Sequence, residues 1–181
     1  MNILIFGVQG SGKSTIGKYT AEKLNIPFIA TGDIFRNLRE EGSSLGKLVK
    51  EKIDEGFLVP DGPTMEIVNK RLANEDAETG FVLDGAPRNL EQVKMLKKSV
   101  DLAIMVALDK NEALKRLFSR GRVDDTQEAI NKRFAWYEEQ TKPVISYYKD
   151  RGVKIIEIDN TPAEDTVRKN LDDLLKELKR D

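Results

Sequence analysis

Residues 3–15 read ILIFGVQGSGKST, and this stretch decides the fold of the chain. Its first four residues form a short apolar run of the kind that a buried parallel strand requires. Residues 7–14 match the pattern G-x-x-x-x-G-K-[ST], whose backbone N–H groups close around a phosphate. A helical pattern then follows at Ile16, Tyr19, Thr20 and Leu24. We therefore predict a strand, a phosphate-binding loop and a helix in succession, with Lys13 able to reach the β- and γ-phosphates.

The composition is that of one compact enzyme domain. A chain of 181 residues can bury a full core, and its charged residues, 34% of the total, nearly cancel at a net charge of −1. A chain with balanced charge lacks the excess of basic residues that is typical of proteins that bind nucleic acid or an anionic membrane. The chain has neither cysteine nor histidine, which excludes disulfides, thiolate or imidazole catalysis and a zinc site with Cys or His ligands.

The sequence shows no targeting segment. No apolar run approaches roughly 20 residues, the length that a membrane-spanning helix requires. The N-terminal residues lead directly into the first strand and show no cleavable signal pattern. We therefore expect a cytoplasmic protein that acts on small molecules as a monomer.

Four more strand-like runs alternate with helical patterns along the chain. They lie at 27–30, 81–84, 103–108 and 153–158. Helical spacing follows the third strand at Leu90, Val93, Met95 and Leu96, and the fourth at Ala113, Leu114, Leu117 and Phe118. Alternating strands and helices are typical of an α/β fold, so we predict a three-layer α/β/α core around a five-stranded parallel sheet. Ligands of such folds bind at the carboxyl ends of the strands.

The last helix has the clearest start signal. Thr161 is predicted to cap it, with Pro162 at the first helical position and Glu164 completing a capping box. One apolar stripe then runs through Val167, Leu171, Leu174, Leu175 and Leu178. This stripe marks the face of the helix that packs against the core.

Two segments interrupt the alternation. Residues 31–74 carry short helical pieces separated by glycine and proline, which predicts a small helical insertion between the second and third strands. Residues 121–126 form a second irregular and highly charged piece. Glycine-bounded segments beside a phosphate loop are candidates for movable lids, which exclude water from a reaction.

Several arginines follow the predicted strands closely. Arg88 comes directly after Asp84-Gly85-Ala86-Pro87 at the end of the third strand, and Arg36 lies in the insertion. Four more follow the fourth strand, namely Arg116, Arg120, Arg122 and Arg133. A guanidinium binds phosphate oxygens bidentately, so convergence of these residues would indicate a polyphosphate, although each one alone fits a solvated helix surface equally well. Asp84 has the position of a carboxylate that holds Mg²⁺ directly or through water; the alternative is a cap on the following turn.

Taken together, the segments GVQGSGKST, TGDIFR, DGAPR and SRGRVDD resemble the adenylate kinases, within the nucleoside monophosphate kinase family, over essentially the whole chain. The resemblance implies a single domain with a P-loop NTPase-type core at 1–30, 60–120 and 132–181, a helical NMP-binding insertion at 31–59 and a short lid at 121–131. It implies the reversible reaction ATP + AMP = 2 ADP, with Mg²⁺ accompanying ATP. Because a single glycine separates Arg120 from Arg122, the lid resembles the short form, and the lack of Cys and His fits a lid without structural zinc.

Matching positions within the resemblance imply a role for each site residue. Binding of ATP is implied for Gly10, Ser11, Gly12, Lys13, Ser14, Thr15, Arg116 and Arg120. Binding of AMP is implied for Thr31, Arg36, Phe57, Leu58, Val59, Gly85, Arg88, Gln92, Arg122 and Arg133. Catalytic charge neutralisation is implied for Lys13, Arg88, Arg120, Arg122 and Arg133, and proximity to Mg²⁺ for Ser14, Thr15 and Asp84. Gln92 with Thr31 favours adenine as the acceptor base, because a side-chain amide both donates and accepts.

The sequence departs from the family pattern at three places. Gln9 stands where proline is usual, which would loosen the turn without removing a phosphate ligand. Ser14-Thr15 replaces the frequent Gly-Thr pair, so that either hydroxyl is a candidate for the one nearest Mg²⁺. Ala86 replaces the usual aromatic residue and reduces the packing beside the NMP site.

Two other function classes stay open at this stage. A UMP/CMP kinase or another small-molecule P-loop kinase of the shikimate or gluconate type would share the phosphate loop, and an acceptor panel with Mg-ATP separates these activities. A nucleotide-binding regulatory module of the GTPase type would need a guanine-reading Asn-Lys-x-Asp segment. The nearest match, residues 109–111, reads Asp-Lys-Asn and has a different order.

Overall fold

Five parallel strands form one sheet at the centre of the molecule. The structure is a computed structural model, and it describes residues 1–54, 59–119 and 126–178. The strands are β1 (Asn2–Phe6), β2 (Phe28–Ala30), β3 (Phe81–Asp84), β4 (Leu102–Ala107) and β5 (Lys154–Asp159). Their order across the sheet is β2-β3-β1-β4-β5, and each neighbouring pair is parallel. The predicted α/β fold with a five-stranded parallel sheet is confirmed.

Helices connect the strands and cover both faces of the sheet. They are α1 (Lys13–Leu24), α2 (Thr31–Glu40), α3 (Ser44–Asp54), α4 (Asp61–Leu72), α5 (Leu90–Met95), α6 (Lys110–Ser119), α7 (Gln127–Trp136), α8 (Lys142–Asp150) and α9 (Glu164–Leu178). A short 3₁₀ helix spans Glu75–Ala77, and a π-helical turn, Tyr137–Thr141, joins α7 to α8. Within the described residues, none of these helices has the length and apolarity needed to cross a bilayer.

Alternate residues of β1 face opposite layers of the molecule, because side chains in a strand alternate between the two faces of the sheet. Ile3 and Ile5 belong to a core cluster that includes residues of α1 and α9. Leu4 and Phe6 belong to the cluster on the other face, with residues of α4 and α8. All four side chains are buried. The sheet is thus the middle layer of a three-layer α/β/α arrangement.

A smaller apolar cluster fixes the helices that follow β4. Ala113 and Leu117 of α6 pack with Ile130 and Phe134 of α7. This contact holds α7 close to the carboxyl ends of the central strands, and Arg133 lies on α7. The segment 31–74 consists of α2, α3 and α4 in its described part.

The structure corrects several sequence-based boundaries. β4 begins and ends one residue earlier than the predicted run 103–108, and β5 begins and ends one residue later than the predicted run 153–158. In α5, Val93 is buried, whereas Leu90 and Met95 are about two-fifths exposed, so the apolar spacing there did not predict the buried face. The predicted capping box of the last helix is wrong. α9 begins at Glu164, and Ala163, not Thr161, supplies the first carbonyl acceptor, which receives the N–H groups of Thr166 and Val167.

The late start of α9 has a local cause. The Asp159 side chain accepts the N–H of Thr161 at 2.9 Å, which folds the chain after β5 into an Asx turn. Hydrogen bonds from the side chain and then from the backbone N–H of Thr161 lower the pKa of the Asp159 carboxyl, since they stabilise the charged form. The proline that follows Thr161 also disfavours helical backbone at that position. A turn therefore separates strand from helix.

Candidate active site

The phosphate loop, residues 7–14, connects β1 to α1 at the carboxyl end of the central strand. Gly10 and Gly12 have φ values of 85° and 86°, in the left-handed region that favours glycine. A Cβ on Gly10 would lie 2.5 Å from the carbonyl oxygen of Ala113, and one on Gly12 would clash with the Asn160 side chain. Glycine is therefore required at both positions. The loop leads directly into the start of α1, where the positive end of the helix dipole favours a bound anion.

The loop is closed on itself despite the departure at Gln9. The N–H of Ser11 donates to the carbonyl of Val8 at 3.1 Å. Ser11 is fully buried, and its carbonyl accepts the Asn160 side-chain amide at 2.7 Å. The turn is thus fixed by hydrogen bonds that do not need proline at position 9.

Arg116 is held beside the phosphate loop. Its Nη2 donates to the carbonyl of Asn160 at 3.1 Å, and its Nε donates to Glu112 at 3.2 Å one helical turn away. The same Asn160 binds Ser11, so the segment after β5 links α6 to the phosphate loop. Sequence reasoning missed Asn160, although its position directly after a parallel strand is a signal that could have indicated it.

Ser14 and Asp84 meet across the site. The Ser14 hydroxyl donates to Oδ2 of Asp84 at 2.6 Å. Asp84 is the last residue of β3 and is 5% exposed, whereas Ser14 and Thr15 are both exposed at the start of α1. The structure therefore brings the first of the two hydroxyls to the carboxylate, and the sequence had left that choice open.

The oxygen donors at this point fit Mg²⁺. A hydroxyl and a carboxylate are the hard ligands that Mg²⁺ prefers, and the ion usually takes one or two protein oxygens together with water and substrate phosphates. In the part of the chain that the structure describes, no group of three or more His, Cys, Asp or Glu side chains could enclose a metal. A magnesium ion at Ser14 and Asp84 would accordingly take its other ligands from water and nucleotide.

Several residues that the resemblance assigns to AMP, the phosphoryl acceptor, lie where β2 and β3 end side by side. Thr31, the first residue of α2, is 1% exposed, and its hydroxyl donates to the carbonyl of Asp84 at 3.1 Å. Gly85 has φ 94°, and a Cβ there would lie 3.3 Å from the Thr31 Cβ. Ala86, the third departure from the family pattern, is buried in the core cluster of α4 and α8. These contacts place the start of the insertion directly beside the loop that carries Arg88.

Arg88 is oriented by its own loop and by the π-helical turn. Its Nε donates to the carbonyl of Gly85 at 2.7 Å, while its own carbonyl accepts the Thr141 hydroxyl at 3.0 Å. Burial lowers the pKa of the Arg88 guanidinium; Asp84 opposes this effect, and the positive charge of Arg133 adds to it. An arginine stays protonated through such a shift. Arg88, Arg133 and Asp84 thus share one electrostatic environment, which brings the α7 arginine to the end of β3.

Gln92 lies under the same loop and is 3% exposed. Its Oε1 accepts the N–H of Arg88 at 2.8 Å, and its Nε2 donates to Asp61 at 2.6 Å. Asn89 caps α5 by accepting the N–H of Gln92 and also donates to Asp61. Sequence reasoning missed Asp61 and Asn89, because an acid at the start of a helix and an Asn before one are ordinary helix-start residues.

The remaining candidates are less closely tied to this group. Arg36 pairs with Asp33 on its own helix, and half of its side chain is exposed. Val59 is buried just before α4, where its carbonyl accepts the Thr64 hydroxyl. Four candidates lie outside the described residues, namely Phe57, Leu58, Arg120 and Arg122. Of the segment predicted as a lid, 121–125 also lie outside them, and 127–131 form the start of α7.

Comparison with known proteins identifies the same family across most of the chain. A family model described as adenylate kinase matches residues 5–153. The adenylate kinase of Mycobacterium tuberculosis (strain ATCC 25618 / H37Rv) is 42% identical over 158 residues, which cover 83% of this chain and 87% of the relative. That of Thermobifida fusca is 40% identical over 164 residues, covering 84% and 87%. That of Kocuria rhizophila is 38% identical over 180 residues, covering 93% and 95%.

These matches agree with a site that joins a phosphate loop, a buried carboxylate and buried or half-buried arginines at the carboxyl edge of a parallel sheet. The chain catalyses phosphoryl transfer between nucleotides, in the reversible reaction ATP + AMP = 2 ADP. It belongs to the adenylate kinase family.

Proposed function

We propose that ATP binds over the phosphate loop and AMP over residues 85–92, with the reacting phosphates meeting between Ser14, Arg88 and Arg133. The observation that carries this proposal is the hydrogen bond of 2.6 Å between Ser14 and Asp84, since it joins the donor loop to the strand whose next residues form the acceptor loop. Thr31 binds the backbone of the same Asp84, so the two half-sites share one residue.

On the donor side, backbone N–H groups and one lysine hold the polyphosphate. Gly10, Ser11 and Gly12 contribute the loop, and Thr15 lies in the first turn of α1, where the positive end of the helix dipole favours a bound phosphate. Lys13 supplies a full positive charge to the phosphate that is transferred. Arg116, which is held by Asn160 and Glu112, is proposed to pack against the base of ATP.

Ser14 and Asp84 would hold Mg²⁺, Asp84 directly or through water. The ion would add charge neutralisation on the phosphate oxygens of ATP. The hydrogen bond between Ser14 and Asp84 brings the two oxygens together, which supports this assignment.

On the acceptor side, seven described residues are proposed to bind AMP, namely Thr31, Arg36, Val59, Gly85, Arg88, Gln92 and Arg133. Arg88, Arg133 and Lys13 are proposed to neutralise the negative charge of the phosphoryl group during its transfer. Phe57, Leu58, Arg120 and Arg122 complete the proposal from positions outside the described residues. The phosphate of AMP is already an anionic nucleophile at neutral pH, so the residues align it and stabilise charge, and no general base is needed.

The domain roles remain proposals as well. Residues 31–59 are proposed as the NMP-binding insertion and 121–131 as a short lid, both of which would close to exclude water and suppress hydrolysis of ATP. The monomeric state and the cytoplasmic location are proposals that rest on the sequence. Sedimentation and cell fractionation test them.

The test of the donor assignment uses ADP as the sole nucleotide. We expect the purified protein with Mg²⁺ and ADP to form ATP and AMP in equal amounts, and Lys13→Met to lose this activity while keeping the wild-type circular dichroism spectrum. Lys18→Met, which removes an exposed lysine from the same helix, is the matched control and should stay close to wild type. Turnover by folded Lys13→Met within a few-fold of wild type would overturn the phosphate-loop assignment.

The test of the acceptor assignment compares kcat/KM for AMP, CMP, UMP and GMP at fixed Mg-ATP. We expect AMP to be preferred, because a site that hydrogen-bonds one base leaves buried polar groups unpaired with another. Equal use of UMP and AMP would refute the proposed base preference and leave the kinase assignment standing.

A further inference from the structure

The side-chain amide of Gln92 is held from both ends by the protein itself. Its Oε1 accepts the backbone N–H of Arg88 at 2.8 Å, and its Nε2 donates to Oδ1 of Asp61 at 2.6 Å. The side chain is almost completely buried, so water cannot replace either partner readily. Gln92 therefore meets any ligand in a conformation that is already set.

These two partners permit a single orientation of the amide. An ionised carboxylate accepts hydrogen bonds and cannot donate, whereas a backbone N–H donates and cannot accept. Turning the amide over would place Oε1 against the Asp61 oxygen and the NH₂ group against the N–H of Arg88. Both bonds would be lost and replaced by two repulsive contacts in a buried site.

Asp61 is itself firmly anchored. It lies in the first turn of α4, where the helix dipole favours a negative charge, and Met65 and Val68 of this helix are buried in the core. Both of its carboxylate oxygens accept the side-chain amide of Asn89 at 3.0 Å. Because Asn89 also caps α5, the start of α4 and the start of α5 form one connected network around Gln92.

In this fixed orientation, one N–H of Nε2 and one lone pair of Oε1 remain for hydrogen bonds to a ligand. The adjacent polar atoms of adenine are an amino donor at position 6 and an acceptor at N1. A 6-oxopurine has the opposite order, with an acceptor at position 6 and a donor at N1. An amide that cannot turn over matches one of these orders and opposes the other.

We propose that Asp61 is a specificity-determining positioning residue, which holds the Gln92 amide in the orientation that selects a 6-aminopurine monophosphate over a 6-oxopurine monophosphate. The inference rests on the proposed function, which assigns Gln92 to the base of AMP. Asp61 acts through Gln92 and does not touch the reacting atoms.

The test measures kcat/KM for AMP and for IMP at fixed Mg-ATP in wild type and in Asp61→Asn. The asparagine keeps the size of the side chain but can either donate or accept, so it removes the constraint on the amide. We expect the AMP:IMP ratio to fall by about tenfold or more, through KM for AMP, with KM for ATP changed by less than about twofold. Glu66→Gln is the matched control: it removes an exposed carboxylate from the same helix and should leave the ratio unchanged.

A second background separates this role from a structural one. In Gln92→Leu, the further change Asp61→Asn should leave the AMP:IMP ratio unaltered, since the group through which Asp61 acts is gone. A shift of the ratio in that background as large as in the native one would overturn the inference, as would an unchanged ratio in Asp61→Asn alone. Equal use of AMP and IMP by the wild-type protein would also overturn the inference. A wild-type protein that phosphorylates neither monophosphate would instead refute the proposed function.

A measurement on the wild-type protein keeps the inference testable if Asp61→Asn does not fold. The side-chain amide protons of Gln92 should exchange with solvent much more slowly in NMR spectra than those of Gln127, an exposed glutamine on α7. Equal exchange rates for the two side chains would show that the amide is not held, and would overturn the inference.

Discussion

Ser14 and Thr15 are adjacent hydroxyls at the start of α1, yet their surroundings differ. Both residues are exposed, but the Ser14 hydroxyl donates to the buried Asp84 at 2.6 Å. One step along a helix turns a side chain by roughly 100°, so neighbouring residues cannot share a partner at this distance. At the residue scale, the magnesium ligand of this chain is therefore proposed to be Ser14.

Ser14→Ala should weaken catalysis more than Thr15→Ala does. We expect the serine change to cost about 1–3 kcal/mol in kcat/KM for Mg-ATP and to raise the Mg²⁺ concentration needed for half-maximal rate. Rates measured across a Mg²⁺ titration for both variants check this. The opposite ranking would transfer the magnesium role to Thr15.

Arg88 and Gln92 should give different kinetic signatures, because one is proposed to bind phosphate and the other the base. Arg88→Ala should lower kcat/KM for every monophosphate alike, whereas Gln92→Leu should lower it for AMP by about 1–3 kcal/mol and affect ATP far less. Gln92→Leu should also lower the melting temperature, since it leaves the Asp61 carboxylate and the Arg88 N–H without this partner. A base-dependent loss in Arg88→Ala would contradict the assignment.

Helix α9 supports the phosphate loop from a distance. Its residues Val167, Leu171 and Leu175 are buried in the cluster that also contains residues of β1 and α1. Asp172 of the same helix accepts the Tyr19 hydroxyl at 2.9 Å and pairs with Lys23, and both partners lie on α1. At the element scale, α9 holds the helix whose first turn forms the phosphate site.

Leu171→Ala should destabilise the fold without altering the chemistry. The side chain is buried, so we expect the free energy of unfolding to fall by about 2–5 kcal/mol from lost burial and a residual cavity. Leu174→Ala, at a partly buried position on the same helix, is the control and should cost less. Urea denaturation gives both values, and kcat of the folded variants should match wild type. A cost below that of Leu174→Ala would show that α9 does not pack as described.

The sheet order decides which loops can cooperate. Because β1 lies between β3 and β4, the phosphate loop after β1 is flanked by the Asp84 loop on one side and by the helices after β4 on the other. β5, next to β4, supplies Asn160 from the outer edge. At the scale of the molecule, four separate chain segments therefore meet at one carboxyl edge, where open α/β sheets bind their ligands.

Removal of divalent metal should stop catalysis and leave the fold intact. The proposed Mg²⁺ arrives with the nucleotide, and the chain has no Cys or His with which to bind a structural zinc ion. We expect a chelator to abolish phosphoryl transfer, added Mg²⁺ to restore it, and the melting temperature of the nucleotide-free protein to stay the same. One tightly held zinc per chain in elemental analysis would contradict this expectation.

The sequence by itself determined the strand, loop and helix of residues 3–24, the alternation of strands and helices, and the exclusion of histidine and cysteine chemistry. These features are local, because hydrophobic periodicity and a glycine-rich loop are encoded in neighbouring residues. The sequence did not determine the exact ends of the helices and strands. The start of α9 depended on an Asx turn that competes with a capping box, and both use the same residue types.

The tertiary structure alone decided which side chains meet. Ser14 and Asp84 are 70 residues apart, Ser11 and Asn160 are 149 apart, and Gln92 and Asp61 are 31 apart. Local sequence patterns predict the elements and loops in which these residues lie, but their contacts depend on the order of strands in the sheet and on the packing of α4 against α5. No local pattern encodes that order, since it results from burying both faces of the whole sheet at once. For this reason the phosphate loop could be read from the sequence, whereas the choice of hydroxyl at Asp84 and the fixed amide of Gln92 could not.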